Sequence, residues 1–483
     1  MNQLFDVVDS LRRIAGEFPD NLAFVSGSTA VSYRDFDQRV RDIAARLQDI
    51  HSDNDDKVAI ILPKCMDLYA SMYAVLCVGG QYSPLDVESP RERNSRILQR
   101  YMPDVILISK ELAQLVPEEL KEKIVFLEDV VRSDFDAYEE GNFAYTIFTS
   151  GSTGVPKGVH VCRRSLNVYI RDSIELLDFL PGLHVSQHPN VAFDLSVLDI
   201  YATLSSGGTL VPVESVMDRR FPAKFIEQND IQIWISVPSV IDLMDRGGQL
   251  QADLLNGVKT FFFCGEPFLP LQLKKLRDAA PQATVFNAYG PTEATVSCTL
   301  RKFQGYRESY EKMASLPIGE TFGENQIKLV GGSDDTEGEI YIYGEQVANG
   351  YWLDAENTNE KFGFDETLKK RYFKTGDWAM FRDGNLNFSG RMDRQVKRLG
   401  YRVELGEIEF HLRRLTRSTQ AAVIENDGNI IAFVTESALL RSELHAGLAA
   451  ALPKHMLPDE LKFLEELPKN QNGKTDYARL KPG

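Results

Sequence analysis

The sequence predicts an α/β protein in two parts, a large N-terminal domain of layered sheets and helices over residues 1–392 and a small mobile α+β domain over residues 393–483. Three observations predict it. Short β-branched or aromatic runs alternate with longer segments of helical spacing, and no internal repeat or low-complexity tract interrupts the alternation. The character of the chain changes near residue 390. At 483 residues the chain also exceeds what one ordinary core accommodates.

The runs at 57–62, 105–109, 124–127, 145–148, 231–237 and 260–263 are apolar on both faces, as buried strands of a largely parallel sheet are. Residues 67–78 and 269–280 between them have the spacing and length of helices. Asp383-Gly384-Asn385 reads as a turn, and Gly390-Arg391-Met392-Asp393-Arg394 as a charged crossing between domains. Beyond it, 421–425 and 430–435 flank Asn426-Asp427-Gly428-Asn429, a hairpin signal. Helices are expected at 407–415 and 439–452.

Composition narrows the functional classes. With 43% hydrophobic and 26% charged residues the chain is a globular one. A formal net charge of −16 argues against nucleic acid or an anionic membrane surface as partner, although a local pocket can still hold an anion. The five cysteines form no CxxC pair, so neither a zinc ribbon nor a disulfide framework is expected, and the thiols read as reduced. Met1-Asn2-Gln3-Leu4-Phe5-Asp6 has no signal-peptide character, and no apolar run reaches the roughly 18–20 residues of a membrane helix. A cytoplasmic address and no membrane insertion are the expectation.

The strongest local signal is Thr149-Ser150-Gly151-Ser152-Thr153-Gly154-Val155-Pro156-Lys157-Gly158, directly after an expected strand. Glycines let backbone N–H groups approach an anion, and the hydroxyls and Lys157 add donors, so the chemistry is that of a phosphate-gripping loop. It is not a Walker loop, and the Walker-like Gly473-Lys474-Thr475 fails because Pro468 stands where a glycine is required. The bland alternative is a polar turn.

More motifs follow in order: Asn287-Ala288-Tyr289-Gly290-Pro291-Thr292-Glu293, Gly350-Tyr351-Trp352, Tyr372-Phe373-Lys374-Thr375-Gly376-Asp377, Gly390-Arg391-Met392-Asp393, Glu404-Leu405-Gly406-Glu407-Ile408-Glu409 and Asn472-Gly473-Lys474. Together with the loop they resemble, over nearly the whole chain, the adenylate-forming superfamily of acyl-CoA synthetases, luciferases and peptide-synthetase adenylation domains. The resemblance implies ATP and Mg2+ as cofactors. Tyr289 offers adenine a flat face, with Gly265-Glu266-Pro267 as the opposite wall. Thr292 suits phosphate, Glu293 suits Mg2+, Asp377 suits the ribose hydroxyls, and Arg391 suits ribose or phosphate. The plain readings of Asp377 and Glu293 are turn and helix caps. Lys474 would be the catalytic cation delivered to the α-phosphate, and Asp393 the hinge about which the small domain swings. After the swing, the face around residues 397–402 would line the site of thiol transfer.

Phe193-Asp194-Leu195-Ser196 separates the branches of that superfamily. A substrate α-ammonium entering an apolar pocket needs an anion, and Asp194 supplies one; fatty or aryl acids need none. The competing reading is a helix cap. The implied pocket is Asp194, Leu195, Leu198, Ile235, Phe262, Cys264, Ala288, Val296 and Ser297. It holds no second charge and little space, which favours alanine, glycine or serine.

Within the branch, Phe193-Asp194-Leu195-Ser196-Val197-Leu198-Asp199-Ile200-Tyr201 and Phe263-Cys264-Gly265-Glu266 are similar to the D-alanine–carrier protein ligases. In those, a cysteine at the place of Cys264 favours the D-enantiomer. Leu405-Gly406-Glu407, Leu399 and His455 depart from one or other relative. The implied partner is a separate phosphopantetheinylated carrier protein, since the chain leaves little sequence after Lys474 for a carrier domain. The alternatives are a stand-alone peptide-synthetase-type enzyme for another small L-amino acid or glycine, and an acyl-CoA synthetase.

Overall fold

The computed structural model describes residues 5–50, 56–151, 156–334, 336–382, 384–418, 420–435, 439–469 and 475–481. Lys474, Ser152, Thr153, Gly154 and the turn residue Asp383 lie outside them.

The expected runs form strands Lys57–Ile61, Val105–Ile108, Ile124–Phe126, Phe143–Thr149, Ile233–Ser236 and Thr260–Cys264. They fall into two sheets. The nine-stranded sheet has six parallel strands in its interior, ordered Thr284–Tyr289, Thr260–Cys264, Ile233–Ser236, His184–Gln187, Thr209–Pro212 and Leu22–Ser26. Antiparallel strands close its edges. The seven-stranded sheet runs parallel from Phe143–Thr149 through Gln81–Pro84, Lys57–Ile61 and Val105–Ile108 to Ile124–Phe126. Apolar side chains on both faces of these strands demand cover on both sides. Helices such as Met66–Cys77 and Leu195–Ser206 supply it, and every residue of the latter is buried. A large apolar core runs through this part of the molecule, and a second, smaller one packs on the other face of the seven-stranded sheet.

A third, five-stranded antiparallel sheet was not legible in the sequence. It is built on Glu337–Tyr343 and the thirteen-residue strand Lys370–Arg382. Its strands alternate between buried and exposed positions, so they lack the continuous apolar run of the others.

The small domain has its own apolar core, gathered from Val403, Leu405, Ile408, Leu412, Val423 and Leu448 among others. It contains the hairpin Gln395–Arg398 and Tyr401–Glu404, helices Leu405–Thr416 and Arg441–Ala451, and the sheet Ala421–Asn426, Asn429–Val434 and Glu460–Phe463. Asp427 and Gly428 turn the second hairpin with φ of 51° and 81°. The architecture is the mixed α/β layering expected, with a large N-terminal and a smaller C-terminal domain. Among the described residues no helix is long and apolar enough to cross a membrane.

Candidate active site

The site lies where the C-terminal ends of parallel strands meet the small domain, as ligand sites in open α/β sheets do. Register places Cys264 beside Ala288 on neighbouring strands. The loops that follow, Gly265-Glu266-Pro267 and Gly290-Pro291-Thr292-Glu293, therefore leave the sheet side by side. Gly265, Glu266, Pro267, Asn287, Ala288 and Tyr289 line one small cavity together. The Tyr289 hydroxyl donates to Asp377 Oδ2 at 2.6 Å. The other oxygen of Asp377 pairs with Arg391, its cross-strand partner. Arg391 in turn grips Asp393 with two bonds of 2.7 Å. The nucleotide residues expected from the motifs and the expected hinge are thus one connected chain. The Asn287 side chain is used differently, donating to the Pro317 carbonyl at 2.8 Å inside the core.

Asp194 precedes the helix Leu195–Ser206, yet its side chain makes no cap hydrogen bond to it. It lines a cavity of about 40 Å3 with Leu195, Cys264, Val296 and Thr292. Among the described residues its carboxylate makes no ion pair, and burial pushes its pKa up to about 6 against the opposing pull of Thr292 and Lys397. Burial likewise pushes the Cys264 thiol up to about 12, so it is a neutral wall. Thr295 and Val296 are held at φ of 54° and 72°. A β-branched residue in that region marks a constrained site, and this strain has no sequence signal.

Of the residues expected to form the amino-acid pocket, Asp194, Leu195, Cys264 and Val296 line this cavity. Leu198, Ile235, Phe262 and Ser297 are buried but do not line this cavity, and Ala288 lines the neighbouring one instead. Leu198 sits one helical turn beyond Asp194, and Phe262 two residues behind Cys264 on the same strand face. They form the layer behind the floor. Ser297 is engaged with the Tyr169 hydroxyl at 3.1 Å.

Residues 397–402 of the small domain are docked into the site. Arg402 donates to both oxygens of Glu293, at 2.8 and 3.0 Å, and the Tyr351 hydroxyl donates to the same carboxylate at 2.7 Å. Burial opposes charge on Glu293, but Arg402 and Tyr351 hold its pKa below the usual range. Lys397 extends over the Tyr289 ring, 5.8 Å from its centroid, and lines both cavities. Gly400 N donates to Glu266 Oε1 at 2.8 Å. From the phosphate-type loop, Ser150 Oγ donates to the Arg402 carbonyl at 2.6 Å and accepts from Glu404 N at 3.1 Å. Gly151 N donates to Glu407 Oε2 at 3.3 Å, while Arg93 pairs with Glu407 at 3.0 Å. Thr149 bonds the Lys157 carbonyl, and the Lys157 ammonium reaches Asn357 at 3.4 Å.

A divalent cation expected on Glu293 does not fit this arrangement, because a guanidinium holds both of its oxygens. Among the described residues no three His, Cys, Asp or Glu side chains are grouped to hold a metal. The Arg402–Glu293 pair had no signal in the sequence, since nothing in residue spacing reports a contact across 109 positions.

Similarity over most of the chain defines the class. Residues 11–352 match the model of the AMP-binding enzyme family and residues 407–474 that of the AMP-binding enzyme C-terminal domain, and the chain belongs to this family of AMP-forming ligases. Among its relatives, the D-alanine–D-alanyl carrier protein ligase of Staphylococcus epidermidis is 30% identical and that of Staphylococcus aureus 31%, each over 98% of both chains. The crystal structure of the Vibrio cholerae adenylation domain AlmE with glycyl-adenosine-5'-phosphate superposes with a TM-score of 0.86 at 26% identity, covering 99% of this chain and 98% of that one.

Proposed function

We propose that the protein activates a small amino acid, D-alanine first, as its adenylate and passes it to the phosphopantetheine thiol of a separate carrier protein. The observation that carries this reading is Asp194: a buried carboxylate with no ion-pair partner among the described residues, at the wall of a cavity of about 40 Å3. Such a group is costly unless a cation meets it, and an α-ammonium is the cation a small amino acid brings. The staphylococcal relatives and Cys264 favour D-alanine. The glycyl adenylate of AlmE makes glycine the second reading.

In the first half-reaction the substrate carboxylate oxygen attacks the α-phosphorus of ATP and pyrophosphate leaves. Asp194 orients the amino acid, the 149–158 loop and Thr292 hold phosphate, and Tyr289 and Asp377 hold the nucleoside. Lys474 supplies positive charge as the pyrophosphate departs. With Arg402 withdrawn, Glu293 would be free to hold Mg2+, which would neutralise phosphate charge. In the second half-reaction the thiol sulfur attacks the acyl carbon and AMP leaves. We assign the docked face around residues 397–402 to this step, with Asp393 as the hinge and residues 1–392 and 393–483 as the two moving bodies. An ATP-dependent reaction with a free-thiol acceptor supports a cytoplasmic address.

The test is ATP–pyrophosphate exchange with D-alanine, glycine and each standard L-amino acid, with acetate and benzoate as controls. D-Alanine as the best substrate is expected. Exchange with glycine or an L-amino acid alone moves the protein to the second reading, and exchange only with simple carboxylates removes Asp194 from its role.

A further inference from the structure

Val296 forms part of the wall of the cavity that holds Asp194 and Cys264, and it does so in a conformation its side chain resists. Its φ is 72°, and the Ser297 N–H donates to the Thr295 carbonyl across it at 2.9 Å. That is the positive-φ form of the γ-turn, rare and strained, and a β-branched side chain adds to the strain. Thr295, also β-branched, stands beside it at φ of 54°. Two such residues in succession persist only where the surroundings over-determine them.

The turn is held by Gln346, which follows strand Glu337–Tyr343 of the third sheet and is fully buried. Its backbone carbonyl accepts from Thr295 Oγ1 at 2.6 Å, and its side-chain Nε2 donates to the Ser297 carbonyl at 2.9 Å. One residue therefore grips the chain on both sides of Val296. Asn325 orients the amide, because its Nδ2 donates to the Phe322 carbonyl at 3.0 Å and to Gln346 Oε1. A carbonyl can only accept, so Asn325 turns its NH2 toward Phe322, Gln346 meets that NH2 with oxygen, and the Gln346 NH2 is left for Ser297. From the other side Gly290 packs against the turn, where a Cβ would overlap Ser297 Cα and press on the Val296 carbonyl. That carbonyl also accepts from Cys264 Sγ at 3.9 Å, which ties the turn to the neighbouring part of the wall.

We propose that Gln346 is a positioning residue for amino-acid selection: it holds the Thr295–Ser297 turn in its strained form and so fixes how far Val296 projects into the acyl cavity. This role rests on the amino-acid activation proposed above. A cavity of about 40 Å3 discriminates between side chains that differ by one CH2 only if its wall cannot retreat. Without the clamp the turn relaxes toward negative φ, Val296 withdraws, and longer side chains enter.

The experiment uses the full-length enzyme and ATP–pyrophosphate exchange with glycine, D-alanine and D-2-aminobutyrate, each longer than the last by one CH2. Gln346→Met keeps the length of the side chain and removes its hydrogen bonds. Thr295→Val removes the bond on the other flank of Val296, and serves alone if the first variant does not fold. Both variants are expected to lower the preference for the smaller amino acids over D-2-aminobutyrate about tenfold, with the KM for ATP changed less than about twofold. A rise in the KM for ATP with the amino-acid preference unchanged marks a purely structural role and overturns the proposal, as does an unchanged preference in both variants. A wild-type enzyme that exchanges with none of the three overturns the activation reading, and the role of Gln346 with it.

Discussion

Arg402 reaches across the boundary between the two domains and closes both oxygens of Glu293 with bonds of 2.8 and 3.0 Å. A positive side chain from the smaller domain therefore occupies the carboxylate that the sequence motif offers to a metal. The pair is buried on the Glu293 side, where an abandoned carboxylate is costly. Arg402 thus fastens the docked arrangement.

Arg402→Ala is expected to spare ATP–pyrophosphate exchange and to lower acyl transfer at least about tenfold, because the docked state loses its ion pair. Arg402→Lys recovers only part of the loss, since one ammonium cannot bond Glu293 and also replace the Arg402 Nε bond to Gln395 at 2.8 Å. The two half-reactions measured on the same preparations decide it, and a loss confined to exchange would contradict it.

Gly400→Ala tests the docking by shape instead of charge. The added Cβ meets Val237 only when the hairpin tip is seated, and its φ of 81° disfavours alanine. Transfer is expected to fall by more than about tenfold while exchange stays near wild type. Quench-flow of the preloaded adenylate against acceptor measures the second step directly.

Asp194 gives a pH signature. Burial raises its carboxyl from 3.8 to about 6 in the folded protein, so below pH 6 it takes up a proton and can no longer pair with an ammonium. The kcat/KM for the amino acid should fall on the acid side with one proton per site, and Asp194→Asn should lose most activity at every pH. The stability sign is the opposite. A raised pKa favours the protonated folded state, so the burden of this carboxylate is absent below pH 4, grows through the window to pH 6 and is complete above it. Asp194→Asn is therefore expected to raise stability by about 1–3 kcal/mol at pH 7–8 and to change little below pH 4, read by denaturant melts.

Lys474→Ala should abolish exchange while leaving ATP binding within a few fold, as expected of a group that acts on developing charge. Calorimetric titration of ATP and the exchange assay together separate the two effects.

Strands such as Val105–Ile108 and Thr260–Cys264 were legible because continuous apolar runs are what a doubly covered parallel strand demands. The helices Met66–Cys77 and Pro270–Ala279 were found within a residue or so of their ends. Lys370–Arg382 escaped, because a half-exposed strand containing Gly376 and five charged residues has no such run. In the site, the loop order brought Tyr289, Asp377 and Arg391 to attention, and they do stand in contact. Pocket depth was not legible: whether Phe262 or Cys264 faces the cavity depends on how far a floor rises between helix and sheet. Nor was the embrace of Glu293 by Arg402, which depends on where the small domain rests.

Asp377 has two carboxylate oxygens, and both are spoken for, one by the Tyr289 hydroxyl and the other by Arg391, which also holds Asp393. Each oxygen keeps a further lone pair, so a sugar hydroxyl that reaches Asp377 joins the contacts of these two neighbours. In the function proposed above, the joint on which the small domain turns and the cradle of the nucleoside would meet through Asp377 and Arg391, so that loading the cradle would change the stiffness of the joint through a chain of four side chains.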